Sequence, residues 1–426
     1  SGREKARPGV HVQFSSRVVL QLAKRSELGQ VLRGSSLKPD REFAPGVFVL
    51  QAPNVKLALE ESQRLANQPG VLVSHPVRRR PIRKMAPMVK RPNDPLFPTQ
   101  WPLENRDPAT GDQLGPEFNI REAWVGSTGQ GVVIGIVDDG VDLGHTDFLG
   151  QSAGDLHFNF TNGKTDGNPV ASNQGHGTIV AGLALAKADN NRGIAGVSPG
   201  AKLASLVVWT SGDDFGSEEE VADMFQYRND AVDIQNHSWG SSTIEQLDPA
   251  ALELKALERA IENGRGGKGV VMIHVSGNNR EEDWNAGDDG YSNDPRVVTA
   301  GAVGPDGRVA AFSNAGACVL CAGLIGNLAG EHPVYSTDRM GALGWNRDFS
   351  DVDPEVGSYH AIARGGNSFT APQIAGVAAL ILSANPALTY RDVQQVIIHA
   401  SRHYDFEDPS LQRNAAGYWF SSNTGY

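Results

Sequence analysis

From about residue 118 onward, short apolar runs alternate with longer segments of helical periodicity. Val132 to Val137, Leu203 to Val208, Val270 to Val275 and Val297 to Val303 are apolar on both alternating faces and too short for helices. They therefore predict buried strands of a parallel sheet. Thr178 to Ala186, Ala250 to Asn263, Thr370 to Ala384 and Tyr390 to Ala400 carry helical spacing. Strands alternating with helices predict an α/β fold, a mostly parallel central sheet flanked by helices.

Residues 15–77 read as a separate small unit. Arg17 to Leu22, Val47 to Leu50 and Val71 to Val73 predict strands, and Glu27 to Leu32 a short helix. A second helix over Val55 to Ala66 has Asn54 as its cap and Gly70 beyond its end. Between Arg78 and Pro92 the chain is dense in Arg, Lys and Pro without periodicity, which predicts an exposed linker and a domain boundary. Asn93 to Pro98 opens the larger unit.

Charge sharpens this division. Residues 1–91 hold 18 Lys and Arg against 6 Asp and Glu, whereas the remainder holds 20 against 43. A basic arm commonly suggests nucleic acid, but no aromatic residues interleave this Arg/Lys run, so the acidic body of the same chain is the better partner. No apolar run approaches the roughly 20 residues that span a bilayer. The start, Ser1-Gly2-Arg3-Glu4-Lys5, has no signal-peptide pattern. The two cysteines, Cys318 and Cys321, form a lone C-x-x-C that cannot complete a four-ligand zinc site.

Four short stretches carry chemistry. In Gly365-Gly366-Asn367-Ser368-Phe369-Thr370-Ala371-Pro372, the serine stands at the mouth of an apolar helix whose first turn admits the proline. Taken alone, Ser368 reads as an N-cap; the helix dipole there also favours developing negative charge. Asp138, in Asp138-Asp139-Gly140, emerges at the carboxyl end of a buried strand, where open α/β sheets place their sites. Adjacent residues of a strand face opposite ways, so Asp138 and Asp139 do not form a metal pair. His176 lies between glycines at a helix start, free to exchange protons. No H-E-x-x-H spacing is present, which argues against a catalytic zinc. Asn278, in Ser276-Gly277-Asn278, follows another strand and offers an amide donor to an oxyanion. Each has an ordinary alternative: a cap for Ser368, a turn for Asp138 and Asn278, and use only for packing for His176. Together they supply a nucleophile, a base, an acid to orient the base, and an oxyanion donor.

These segments resemble the catalytic motifs of the subtilisin-like serine proteases, which share the Asp, His, Ser chain order. Ser238-Trp239-Gly240 and Asp289-Gly290-Tyr291-Ser292-Asn293 resemble the kexin/furin-like proprotein convertase branch in particular. Asn367 departs from that family's usual Gly-Thr-Ser. The resemblance implies a serine endopeptidase acting on polypeptides, with Ser368 as nucleophile, His176 as base, Asp138 orienting it and Asn278 in the oxyanion hole. It implies an inhibitory, ferredoxin-like pro-domain over residues 1–84 that assists folding. A processing linker and N-terminal segment would cover 85–117, and a catalytic domain 118–426. Self-cleavage is expected after Arg83 or Lys84, where Arg80 and Arg83 have convertase spacing.

The resemblance further implies that Asp139, Glu220 and Asp289 select Arg or Lys before the scissile bond. Asn173, Thr243 and Asn314 stand where other family acids are usual. It implies a Ca²⁺ site from Asp94, Asp147, Asn190 and Asn191, whose oxygens suit a hard cation. A secreted or extracytoplasmic location is expected, with no membrane or nucleic-acid partner. Convertases carry a P domain next, so the resemblance implies either that Tyr426 ends a fragment or that this helper domain was lost. The P domain, or a chaperone in its place, is the expected partner. A catalytically silent pseudoprotease scaffold is the alternative function.

Overall fold

A computed structural model describes residues 13–79, 89–209, 217–240, 246, 248–327, 332–346, 359–362 and 365–426. Arg83, Lys84 and Thr243 lie outside the described residues. The chain divides into two compact units, residues 1–86 and 87–426.

In the first unit the elements run β1 (Gln13–Leu22), α1 (Leu28–Val31), β2 (Lys38–Ala44), β3 (Val47–Gln51), α2 (Val55–Ala66) and β4 (Val71–Arg79). The four antiparallel strands lie in the order β2-β3-β1-β4, a ferredoxin-like arrangement. Val18, Leu20, Phe48, Leu50, Ala58 and Leu65 form its core. The Asn54 side chain caps α2 by accepting from Leu57 N at 2.9 Å. The sequence pattern misses β2 because Lys-Pro-Asp-Arg-Glu-Phe-Ala has no buried face. As an edge strand it needs none, and its charges discourage further pairing.

The second unit contains α3 (Ile120–Ala123), β5 (Val133–Asp138), β6 (Phe158–Asn159), α4 (His176–Leu185), β7 (Lys202–Val207), α5 (Glu218–Gln226), β8 (Ile234–His237) and α6 (Ala251–Gly267). It continues with β9 (Val271–Val275), β10 (Val297–Val303), β11 (Val319–Leu324), β12 (Val334–Thr337), β13 (Tyr359–Ile362), α7 (Ala371–Ala384) and α8 (Tyr390–Ala400). Seven parallel strands pair in the order β11-β10-β9-β8-β5-β7-β6. Chain direction across the sheet reverses beside β5, and crevices form at such reversals.

Alternation along the strands builds two cores. Ile134, Ile136, Ile273 and Val275 face α4, α7 and α8, whereas Val137, Leu206 and Met272 face α5 and α6. Pro372 is the second residue of α7, where a missing N–H is harmless. In α6 the backbone leaves helical geometry at Gly264, so the regular helix ends at Asn263, as its pattern predicts. The strand β8 escapes the pattern because Gln235, Asn236 and His237 are polar yet buried. Gln235 is accommodated by donating to the carbonyls of Met224 and Phe225 at the end of α5. Both cysteines are free, and burial pushes their thiols up to about 11 for Cys318 and about 12 for Cys321, which makes them poor nucleophiles. Among the described residues no helix is long and apolar enough to cross a membrane.

Candidate active site

Asp138 is the last residue of β5 and is fully buried. Its two carboxylate oxygens lie 2.9 and 3.0 Å from His176 Nδ1, at the first residue of α4. A carboxylate can only accept, so Nδ1 carries the proton and Nε2 is left as the basic nitrogen. Burial pulls the imidazole pKa down. The charge of Asp138, its hydrogen bond and the charge of Asp139 pull it up more strongly, and the result lies above the ordinary 6.5.

Asp139 has a different task from its neighbour. Its Oδ2 accepts from the backbone N–H groups of Gly175 and His176 at 3.0 and 3.2 Å, and Oδ1 from Gly177 at 2.8 Å. It thus satisfies the open amides at the start of α4 and complements the helix dipole. Burial first, and the adjacent Asp138 charge second, raise its carboxyl to about 6. Gly177 is present for space rather than for mobility. A Cβ there would lie 2.5 Å from Gly140 O and 3.1 Å from Asp139 Oδ1.

Ser368 is not the cap of α7. It sits in a single 3-10 turn, Asn367–Phe369, ahead of the N-cap Thr370. Its Oγ donates to Ser238 O at 3.1 Å, and Ser238 Oγ donates back to Ser368 O at 2.8 Å, which joins the end of β8 to the Ser368 turn. The ring of Phe369 lies 5.4 Å from that of His176, so this turn stands against the start of α4.

Asn278, beyond the end of β9, is exposed. Its Oδ1 accepts from Asn367 N at 2.7 Å, which leaves Nδ2 without a protein partner among the described residues. The Asn367 side chain, fully buried, donates to Ser276 Oγ, Gly277 O and Ser313 Oγ. Sequence reasoning flags Asn367 only as a departure from a family pattern. Its three acceptors are distant in sequence and give no local signal.

The residues expected to read substrate do not all meet. Glu220 closes a capping box on α5, accepting from Ser217 N at 2.6 Å. Asp289 is half-buried. Its Oδ1 accepts from Tyr291 N and Ser292 N, and Oδ2 turns toward Gly240, 3.5 Å from the point where a Cβ would stand. With Asp139 spent on α4, Asp289 is the acid best placed beside the Ser238-Trp239-Gly240 strand end.

Of the four residues expected at calcium, three converge. Asp94 accepts from Asp189 N and Asn190 N, and Asp147 accepts from Asn190 Nδ2 at 2.7 Å and Ile194 N at 3.2 Å. Asn191 joins through its backbone N–H, which donates to Asn93 Oδ1. Both carboxylates are buried, and burial raises the Asp94 pKa. Among the described residues no cluster of three or more His, Cys, Asp or Glu is placed to hold a metal. Two buried carboxylates beside an amide-bearing loop nonetheless fit a hard cation, provided amide and backbone oxygens complete its shell.

Comparison with known proteins agrees with this architecture. A calcium-dependent protease of Trichormus variabilis is 32% identical over 396 residues, covering 88% of this chain and 56% of the relative. Kexin of Saccharomyces cerevisiae is 32% identical over 336 residues, covering 78% and 37%. The chain thus spans about half the length, or less, of these curated relatives. The crystal structure of an Aeromonas sobria serine protease in complex with its chaperone superposes with a TM-score of 0.68 at 23% identity, over 78% of this chain and 65% of that one. This last likeness supports the subtilisin-like fold alone. The family model described as the subtilase family matches residues 129–418, from just before β5 to beyond α8. The chain belongs to the subtilase family.

Proposed function

We propose that this chain is a serine endopeptidase made as a self-processed zymogen. The observation that carries the proposal is His176 Nδ1 held by both oxygens of Asp138, while Asn278, tied through Oδ1 to the residue before Ser368, keeps Nδ2 without a partner among the described residues. Ser368 Oγ would turn from Ser238 O to His176 Nε2, lose its proton there and attack the scissile carbonyl. Asn278 Nδ2 would donate to the oxygen that becomes negative, and its pinned Oδ1 means no reorganisation is needed at that moment. His176 then returns the proton to the departing amine, and water repeats the sequence to free the acid.

Asp289 would favour Arg or Lys before the scissile bond. The first unit would act as the inhibitory pro-domain: it is small, separately folded and joined through a basic segment to an acidic body. Cleavage after Arg83 or Lys84 would release it. Ca²⁺ held by Asp94, Asp147, Asn190 and Asn191 would neutralise two buried carboxylates and tie residues 93–94 to the 189–194 loop. The naming of one relative as calcium-dependent supports this reading.

Intact mass followed over time, beside a Ser368→Ala version, tests the central proposal. Wild type should split near residue 84 while the variant stays whole. A persistent full-length wild type, or a variant that splits equally, would overturn self-processing by Ser368.

A further inference from the structure

Beside His176 stands an aromatic wall that the catalytic steps do not use. The Trp345 ring lies 6.2 Å from the His176 ring and 6.4 Å from Phe369, edge to face with the latter at 83°. Phe369 is buried, whereas Trp345 is 40% exposed. Part of the Trp345 ring is thus open to solvent beside His176.

The segment that carries Trp345 is anchored. Asp338, fully buried, accepts from Arg339 N through Oδ1 and from Asn346 N through Oδ2, closing the turn on itself. Arg339 reaches out of the turn and donates to Ala171 O and Gln174 O, in the stretch just before His176. Met340 N donates to Asp142 Oδ2, just beyond β5. Trp345 is therefore held on the same framework as the Asp138–His176 pair, and a substrate contact there costs little ordering.

The side of the cleft follows from chemistry. Ser368 Oγ is bonded to Ser238 O just past β8, in the segment whose Gly240 lies against Asp289, whereas the Trp345 ring stands against His176 and Phe369. His176 must deliver a proton to the departing amine, so the chain that leaves runs past the His176 face. We propose that Trp345 and Phe369 form a subsite for an apolar side chain on the residue immediately after the scissile bond. The preferred substrates are then polypeptides with a large aliphatic or aromatic residue at that position.

This inference rests on the endopeptidase reading, and one experiment separates the two. Internally quenched peptides carrying a mixture of residues before the scissile bond, and Leu, Phe, Gly or Asp after it, are given to the processed protein, to Trp345→Ala and to Trp345→Phe. Wild type should cleave the Leu and Phe peptides with a kcat/KM about tenfold above the Gly peptide. Trp345→Ala should bring the Leu-to-Gly and Phe-to-Gly ratios of kcat/KM down toward one, and Trp345→Phe should restore most of the difference. A wild type indifferent to the residue after the bond, or a preference that survives in Trp345→Ala, would overturn the subsite and leave the protease reading intact. Failure of every peptide with wild type would overturn both.

Discussion

The backbone N–H of Asn367 donates to Asn278 Oδ1 across 2.7 Å, so the residue preceding Ser368 decides which end of the Asn278 carboxamide is held and which is left to donate. Asn278→Ala should lower kcat about 10²–10³-fold with KM little changed, since the lost donor acts on charge that develops only in the transition state. Gly366 makes the same point through space. Its φ of −96° suits any residue, but a Cβ would lie 2.6 Å from Asn278 Nδ2. Gly366→Ala should displace that amide and cost activity without loss of folding. The double variant should be no worse than Asn278→Ala. Additive losses in steady-state kinetics would mean that Gly366 acts elsewhere.

Activity should rise with pH along a limb whose midpoint lies above 6.5, because Asp138 and Asp139 raise His176 and the base must be neutral to accept a proton. Asp138→Asn should drop kcat about 10⁴-fold, as the wrong tautomer is then favoured, and move any residual limb to lower pH. A pH profile of kcat/KM for both proteins checks this, and coincident midpoints would contradict it.

His237 makes a separate prediction about acid. It is buried among the rings of Phe225, Trp239 and His274, and neither ring nitrogen has a partner among the described residues. Burial first, and His274 second, hold its pKa well below 6.5. The unfolded chain takes up a proton near 6.5 and the folded one does not. Stability from this group is thus complete above that pH and lost as pH falls toward the folded value. Melting temperature in a Ser368→Ala background should fall below about pH 6.5, and less steeply in His237→Phe. Parallel curves would assign the acid sensitivity to other groups.

Chelation should lower the melting temperature if calcium joins Asp94 and Asp147. A free ion concentration a hundredfold above Kd stabilises by about 2.7 kcal/mol. Asp147→Asn should make the protein insensitive to chelator. An unchanged transition in wild type would remove calcium from the proposed function.

The sequence carried the parts of this molecule whose cause is local. The helix α8 (Tyr390–Ala400) and the strand β10 (Val297–Val303) have the bounds that their apolar pattern predicts. Asp138 and His176 come together because a strand end and a helix start are both visible as patterns. Asp139 is harder to read. On sequence it follows a strand, and nothing near it marks the distant helix whose amides it accepts. Glu220 likewise reads as a free acid until Ser217 closes on it. Buried polar residues such as Gln235 and Asn236 hide β8, since apolar alternation is the signal and they lack it.

Two neighbouring acids grip one histidine: Asp138 takes its ring and Asp139 its amide. The separation of acid from base is therefore set by the seating of α4 on the end of β5 and not by the choice of side-chain rotamers. Slippage of that helix by a fraction of an ångström would disturb both grips at once. Reactivity in this cleft is thereby tied to the tightness of the core beneath it, and a protein that begins to loosen there would fall silent before it falls apart.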